Sequence, residues 1–261
     1  MKIIQDRVID GEVITGCFSN MGSTVSAEIL GHSGFDFLVL DIEHGAGDLE
    51  TLYRQLQVTA GTPIASLVRI ACNETPRCNR ALDAGADGIM VPYVQSPEEA
   101  AAAVAAMRYP PDGIRGVASS VRAARFGTDF STYQEKSKDG LLTVLQIETS
   151  AGVDAAREIA EVDGVDVLFV GPNDLSFSLG IPKEFDHPDF TDALDRVAEG
   201  ARAAGKAAGI LLQTPEQVPS IIERGYTFIA LGSDTSYVAS GAEATLAALA
   251  PYCKPKRKAG K

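Results

Sequence analysis

The sequence predicts a single α/β domain folded as a closed (β/α)8 barrel, and three observations predict it. Apolar runs of strand length recur eight times along the 261 residues, with helix-like stretches between them, the pattern of repeated βα units and a parallel sheet. Each run is near-continuously hydrophobic instead of alternating, as parallel strands covered on both faces must be. No break in composition divides the chain, and its length is ordinary for one such barrel.

In order, the runs are Val13–Ser19, Phe35–His44, Pro63–Ile70, Asp87–Val94, Leu141–Glu148, Val165–Gly171, Ala207–Gln213 and Thr227–Gly232. The helix-like stretches are Thr24–Gly31, Leu49–Ala60, Thr75–Ala84, Pro97–Arg108, Val153–Ala160, Asp189–Ala204, Pro215–Arg224 and Tyr237–Leu249. Their ends carry physical signals. Ser96 before Pro97, and Thr214 before Pro215, pair an N-cap hydroxyl with a proline whose missing N–H has no partner to lose in the first turn. Gly61, Gly85, Gly205 and Gly225 stand just past helix ends, where the backbone turns left-handed. A long interruption from Tyr109 to Gly140 contains YPPDGIRGVASSVRAARFG. In a compact domain an excursion of that length frames a site or a subunit contact. The barrel is expected to span residues 1–251, and residues 252–261 to form a disordered basic tail with Lys254, Lys256, Arg257, Lys258 and Lys261.

Composition narrows the functional classes. Hydrophobic residues make up 45% and charged residues 22% of the chain, a globular balance, and no apolar run approaches the roughly 20 residues of a membrane helix. A formal net charge of −12 argues against a nucleic-acid surface, which needs a positive field. The opening MKIIQDRVIDGEVITG lacks the pattern of a signal peptide, so the cytoplasm is the expected compartment. Cys17, Cys72, Cys78 and Cys253 lack the spacing of a zinc or redox pair and read as reduced structural thiols.

In such barrels the reacting groups stand at the carboxyl ends of the strands. The second run ends in Asp41-Ile42-Glu43-His44, the third in Arg69, the fifth in Gln146-Ile147-Glu148, and the sixth leads into Gly171-Pro172-Asn173-Asp174. A charged group closing a hydrophobic strand is expensive to desolvate unless it is paired or binds a ligand. Any one of these carboxylates could simply cap a helix or pair with an arginine; the convergence of so many on one face points to a site. Glu148 and Asp174 belong to neighbouring strands and suit one hard divalent cation with open coordination positions, Mg2+ or Mn2+ better than zinc. Gln146 shares a strand face with Glu148. No lysine falls at a strand's carboxyl end: Lys206 starts the seventh run, and Lys136, Lys138 and Lys183 lie in apparent loops. Schiff-base catalysis is therefore disfavoured.

These residues resemble the HpcH/HpaI family of metal-dependent pyruvate aldolases, through LDIEHG, LVRI, LDAGADGIMVPYVQSPEEA, RYPPDGIRGV, LQIET, GVDVLFVGPNDLSFSLG and AGKAAGIL. The resemblance implies a TIM barrel that reversibly cleaves a 4-hydroxy-2-oxo acid to pyruvate and an aldehyde. It implies Glu148 and Asp174 as ligands of Mg2+, Mn2+ or Co2+, His44 as general base and Arg69 as the cation beside the developing enolate. Gln146, Gly171, Pro172, Leu211 and the backbone amides of Asn173 and Asp174 are implied as substrate contacts. Asp83 matches an acid that raises the histidine's basicity, although it ends a helix far from the mouth and would need a neighbouring subunit or a relayed contact; Asp41 is the other candidate, set on the opposite strand face from His44 unless the strand end bends. The resemblance also implies a homo-oligomer, a hexamer built as a dimer of trimers with the last helix exchanged between subunits.

Two departures border the aldehyde side. Gly45-Ala46-Gly47 stands where the family commonly has Ala-Pro-Asn, and Phe126 where a tryptophan is common. Two other readings stay open: an acyl-CoA lyase of the malyl- or citramalyl-CoA type, and a non-catalytic barrel that binds a keto acid. His32, near the first helix's end, reads as a packing or capping residue and His187 as a loop residue.

Overall fold

Eight parallel strands pair in chain order and close on themselves. They are β1 (Ile14–Ser19), β2 (Phe37–Asp41), β3 (Ala65–Arg69), β4 (Gly88–Val91), β5 (Leu142–Ile147), β6 (Val167–Val170), β7 (Ala207–Leu212) and β8 (Tyr226–Ser233). The computed structural model describes residues 4–252; Cys253 and the basic tail lie outside the described residues. Around the barrel run α1 (Ile4–Ile9), α2 (Thr24–Gly31), α3 (Leu49–Thr59), α4 (Thr75–Asp83), α5 (Pro97–Met107) and α6 (Phe130–Asp139). They are followed by α7 (Ser150–Asp154), α8 (Ala156–Ala160), α9 (Pro172–Ser178), α10 (Pro188–Ala203), α11 (Val218–Glu223) and α12 (Asp234–Leu249). No helix among the described residues is long and apolar enough to cross a membrane.

Strand side chains alternate between two apolar clusters. Leu38, Leu40, Val68, Ile89, Leu145, Ile147, Leu168 and Ile210 face outward and pack under the helices. Phe37, Val39, Leu67, Met90, Leu142, Val144, Phe169 and Phe228 point inward and fill the barrel, so its interior is a packed core. Phe37 stacks on Phe228 with ring centroids 4.1 Å apart. Gly16 admits the Phe37 ring, since a Cβ there would lie 2.5 Å from it. Helix α1, which the sequence did not predict, adds Ile4 and Val8 to this inner cluster.

Several predicted elements need correction. The helix expected over Val153–Ala160 is two short helices that meet at Ala155, where φ is −98° and ψ 10°. The stretch Pro215–Arg224 begins with a 3-10 turn, Pro215–Gln217, before α11. The Tyr109–Gly140 excursion holds a 3-10 stretch, Arg122–Gly127, and helix α6, so Lys136 and Lys138 are helical and not in loops. Helix α6 escaped prediction because its sequence, FSTYQEKSKD, buries only Ser137 and has no apolar stripe.

Two arginines pin this excursion to the barrel. Arg115 is fully buried; its Nη2 donates to Asp83 Oδ1 at 2.8 Å and to the Tyr133 hydroxyl at 2.9 Å. Its guanidinium also lies over the Tyr109 ring, 4.5 Å from the centroid. Arg122 donates to the carbonyl oxygens of Ala84 and Leu56. Helix α12 behaves differently: Asp234 at its start is buried, while Val238, Leu246 and Leu249 are exposed. His32 caps α2 through its backbone N–H, and His187 is the N-cap of α10, its Nδ1 accepting from the Asp189 amide.

Candidate active site

The strand alternation that fills the barrel carries on into its mouth. Phe37 and Val39 point inward, so Asp41, two further on, also points inward. The same parity takes Ala65 and Leu67 to Arg69, Leu142 and Val144 to Gln146 and Glu148, and Val167 and Phe169 to Gly171. Leu211 packs partly buried against the inner cluster from β7. The polar groups thus form the next layer above the apolar core, at the carboxyl ends of the strands.

Asp41 and Arg69 are direct cross-strand neighbours. Arg69 Nε donates to Asp41 Oδ1 at 2.9 Å and Nη2 to Oδ2 at 2.7 Å, a two-pronged arrangement that fixes the plane of the guanidinium. Asn20 Nδ2 donates to Asp41 Oδ2, and the amides of Glu43 and His44 donate to Oδ1. Beneath the guanidinium lies the Phe18 ring, 5.1 Å away. Burial works against the charge of Arg69, but Asp41, Glu43 and Glu148 outweigh it and hold its pKa above the ordinary arginine value.

The strand end does bend. After Asp41 the chain turns sharply and its amides point back onto the Asp41 carboxylate. Gly45 permits this turn, because a Cβ there would lie 2.2 Å from the Asp41 carbonyl oxygen. Asp41, one of the two acids considered as partners of the His44 ring, is bonded instead to Arg69, Asn20 and these amides. Among the described residues, the carboxylate within 4 Å of that ring is Glu43, with Oε2 at 3.9 Å from Nε2. Asp83 pairs instead with Arg115, at the opposite end of the α/β unit from the mouth. The His44 side chain is 63% exposed.

Glu148 is almost fully buried. Its Oε1 accepts from the Tyr93 amide at 2.9 Å and its Oε2 from Gln146 Nε2 at 3.1 Å. Burial, with the charges of Asp174 and Glu43 added, pushes its carboxyl up to about 7 against the pull of the Tyr93 amide and Arg69. Asp174 lies in the first turn of α9 and accepts from the Tyr93 hydroxyl at 2.9 Å. Burial and the Asp174 charge raise that hydroxyl to about 12, so it stays a donor at neutral pH. Gly171 leaves the room Glu148 occupies: a Cβ there would sit 2.3 Å from Glu148 Oε2.

Sequence reasoning assigned no role to Glu43, Tyr93, Asn20 or Asp234. Glu43 is largely buried, with Arg69 Nη1 at 3.2 Å; burial raises its pKa despite the charges of Arg69 and His44. Asp234 accepts from Ser19, Asn20, Met21 and Ser26, which ties the β1–α2 loop to the start of α12 and so steadies Asn20 on Asp41. Four carboxylates, Asp41, Glu43, Glu148 and Asp174, therefore face one arginine in a confined mouth. Their oxygens are donors of the kind that a hard divalent ion takes. Gln146 Oε1, buried and without a partner among the described residues, adds a neutral oxygen donor beside Glu148. Glu148 and Asp174 thus fit as its holders.

The family model described as HpcH/HpaI aldolase/citrate lyase matches residues 14–241. The chain belongs to the HpcH/HpaI family. It is 43% identical over 223 residues to a 5-keto-4-deoxy-D-glucarate aldolase of Salmonella paratyphi C, covering 85% of this chain and 87% of the relative. It has the same identity and coverage with a protein of that name from an Enterobacter species. The crystal structure of an HpcH/HpaI aldolase/citrate lyase family protein from Burkholderia cenocepacia superposes with a TM-score of 0.92 at 36% identity, covering 95% of this chain and 99% of that one. The chain is accordingly an enzyme, a carbon–carbon lyase of the aldolase type. Aldolases of this family depend on a divalent metal.

Proposed function

We propose that this enzyme reversibly cleaves a 4-hydroxy-2-oxo acid to pyruvate and an aldehyde, with Mg2+, Mn2+ or Co2+ held by Glu148 and Asp174. The observation that carries the proposal is the pair of carboxylates, Glu148 and Asp174, joined through Tyr93 beside an arginine clamped by Asp41. When bound, the cation supplies Lewis-acid stabilisation of negative charge on the substrate's keto oxygen. Arg69 adds a fixed positive charge on the same side, which favours an enolate over the neutral ketone. Gln146 orients the keto acid from the floor of the mouth, and the amides of Asn173 and Asp174, at the start of α9, receive its carboxylate. Gly171 and Pro172 shape that turn, and Leu211 packs against the methyl side.

His44 takes the proton from the C4 hydroxyl in the cleavage direction, and the C3–C4 bond breaks as its electrons pass into the enolate. The enolate is then protonated at C3 and pyruvate leaves. Glu43 Oε2 lies 3.9 Å from Nε2, close enough to help hold the ring in place. Asp83 serves His44 only across a subunit boundary, in keeping with a hexamer built as a dimer of trimers. The exposed apolar residues of α12 suit exchange of that helix between copies. The enzyme acts in the cytoplasm as one barrel domain.

The name of the relatives makes 5-keto-4-deoxy-D-glucarate the first substrate to assay, followed by other 4-hydroxy-2-oxo acids and by malyl-CoA. Pyruvate release is followed after chelation and after return of Mg2+, Mn2+ or Co2+. Cleavage of the free acids that is lost on chelation and restored by metal is expected. Turnover confined to the CoA thioester, or untouched by chelation, would overturn the proposal.

A further inference from the structure

Tyr93 belongs to none of the residues that bind substrate or move its proton, yet three observations converge on it. Its backbone is left-handed, with φ at 53°, a conformation that a residue with a large side chain holds only when its surroundings impose it. The following residue supplies part of that constraint, since the Val94 amide donates to the Gln146 carbonyl oxygen at 3.1 Å. Tyr93 remains 46% exposed, so burial of the residue does not account for the conformation. What it does achieve is a double contact. The amide donates to Glu148 Oε1 at 2.9 Å, and the hydroxyl donates to Asp174 Oδ1 at the same distance. One residue just past β4 thereby joins a carboxylate just past β5 to a carboxylate on α9.

We propose that Tyr93 is a positioning residue that sets the spacing and orientation of Glu148 and Asp174 for a divalent cation, fixing one carboxylate with its amide and the other with its hydroxyl. The proposal rests on the reading of those two carboxylates as the cation's holders. Hydrogen-bond partners of metal ligands are worth about 10- to 100-fold in metal affinity. The hydroxyl bond is the removable half of the device, and the amide bond depends on the left-handed turn.

The test titrates Mn2+ alone into the full, chelator-treated chain by calorimetry, with the melting temperature of the metal-free protein measured alongside. Tyr93→Phe keeps the ring and the amide and loses the hydroxyl. Its Mn2+ Kd is expected to rise about tenfold, with the metal-free melting temperature within about 2 °C of the parent, a small shift for a chain of this size. Tyr93→Asn suits a left-handed backbone better; it is expected to melt no lower than the parent while binding Mn2+ as weakly as Tyr93→Phe. Glu148→Gln serves as the reference for loss of a ligand. Parent and Tyr93→Phe proteins of equal affinity, with Glu148→Gln impaired, would overturn the role of Tyr93 and leave the cation site standing. A parent chain that binds no Mn2+ would overturn the cation site itself. A drop in melting temperature without a selective loss of Mn2+ affinity would mark Tyr93 as merely structural and overturn the proposal as well.

Discussion

Replacing Asp41 by asparagine isolates the group that aims Arg69. Asp41 gives both oxygens to the guanidinium, at 2.9 and 2.7 Å, its side chain is fully buried, and that of Arg69 is 12% exposed. The asparagine keeps the shape but turns an NH2 group toward an N–H of the arginine and removes the balancing charge. Breaking a buried pair by removing one partner costs about 3–5 kcal/mol. Arg69 retains Glu43 at 3.2 Å, so the lower end applies, about 3 kcal/mol. At about 2–4 °C per kcal/mol for a chain of this size, the melting temperature falls by about 6–12 °C. The freed guanidinium then leaves its place beside the substrate, and misplacement of about 1 Å lowers turnover about 100-fold. Differential scanning calorimetry and steady-state pyruvate release below the new transition measure the two effects. A variant that melts within about 2 °C of the parent and turns over normally would refute the reasoning.

Three further outcomes are expected. His44→Ala should lower turnover at least about 100-fold, in line with a lost acid–base group, while Mn2+ affinity measured by calorimetry stays within about twofold; near-normal cleavage would remove the base from the scheme. Gly171→Ala should weaken Mn2+ binding about tenfold or more, because its Cβ would lie 2.3 Å from Glu148 Oε2 and must displace that carboxylate; unchanged affinity would show that Glu148 does not hold the ion. The third concerns pH. With its carboxyl raised from the ordinary 4.5 to about 7, Glu148 contributes stability to the metal-free protein that is full below its unfolded pKa and lost as pH rises through about 7. Mg2+ binds the ionised form, so the rise in melting temperature on adding Mg2+ should be larger at pH 8 than at pH 5.5; an equal or smaller rise at pH 8 would contradict this.

The barrel was legible because a parallel strand buried on both faces must be hydrophobic almost throughout, and runs such as Leu141–Glu148 stand out for that reason. The ionisable residues that close those runs were legible for the complementary reason: Arg69 and Glu148 at the ends of apolar strands are costly unless they act together. What escaped depended on turns. Tyr93 follows the apolar GIMVP and reads as the end of a strand; only the left-handed backbone brings its amide to Glu148. The role of Asp41 hinged on the bend after β2, which strand periodicity does not describe. Glu43 was visible in the Asp41-x-Glu43-His44 signature, but its approach to Arg69 follows from the same bend. Asp234 was hidden because the last helix was expected to begin at Tyr237, although the Ser233 capping box starts it three residues earlier. Helix α6 and Arg115 lay inside an excursion whose polar sequence has no period, and there the fold is held by buried charge and aromatic contact.

The central claim is that Glu148 and Asp174 hold a divalent ion where it stabilises a pyruvate enolate. Proton NMR of pyruvate in deuterium oxide tests it without any aldehyde present, by following the loss of the C3 proton signal. The account predicts exchange that requires both the enzyme and Mg2+ or Mn2+ and is abolished in Glu148→Gln. Pyruvate binding without exchange, or exchange that survives chelation and the Glu148→Gln substitution, would contradict it.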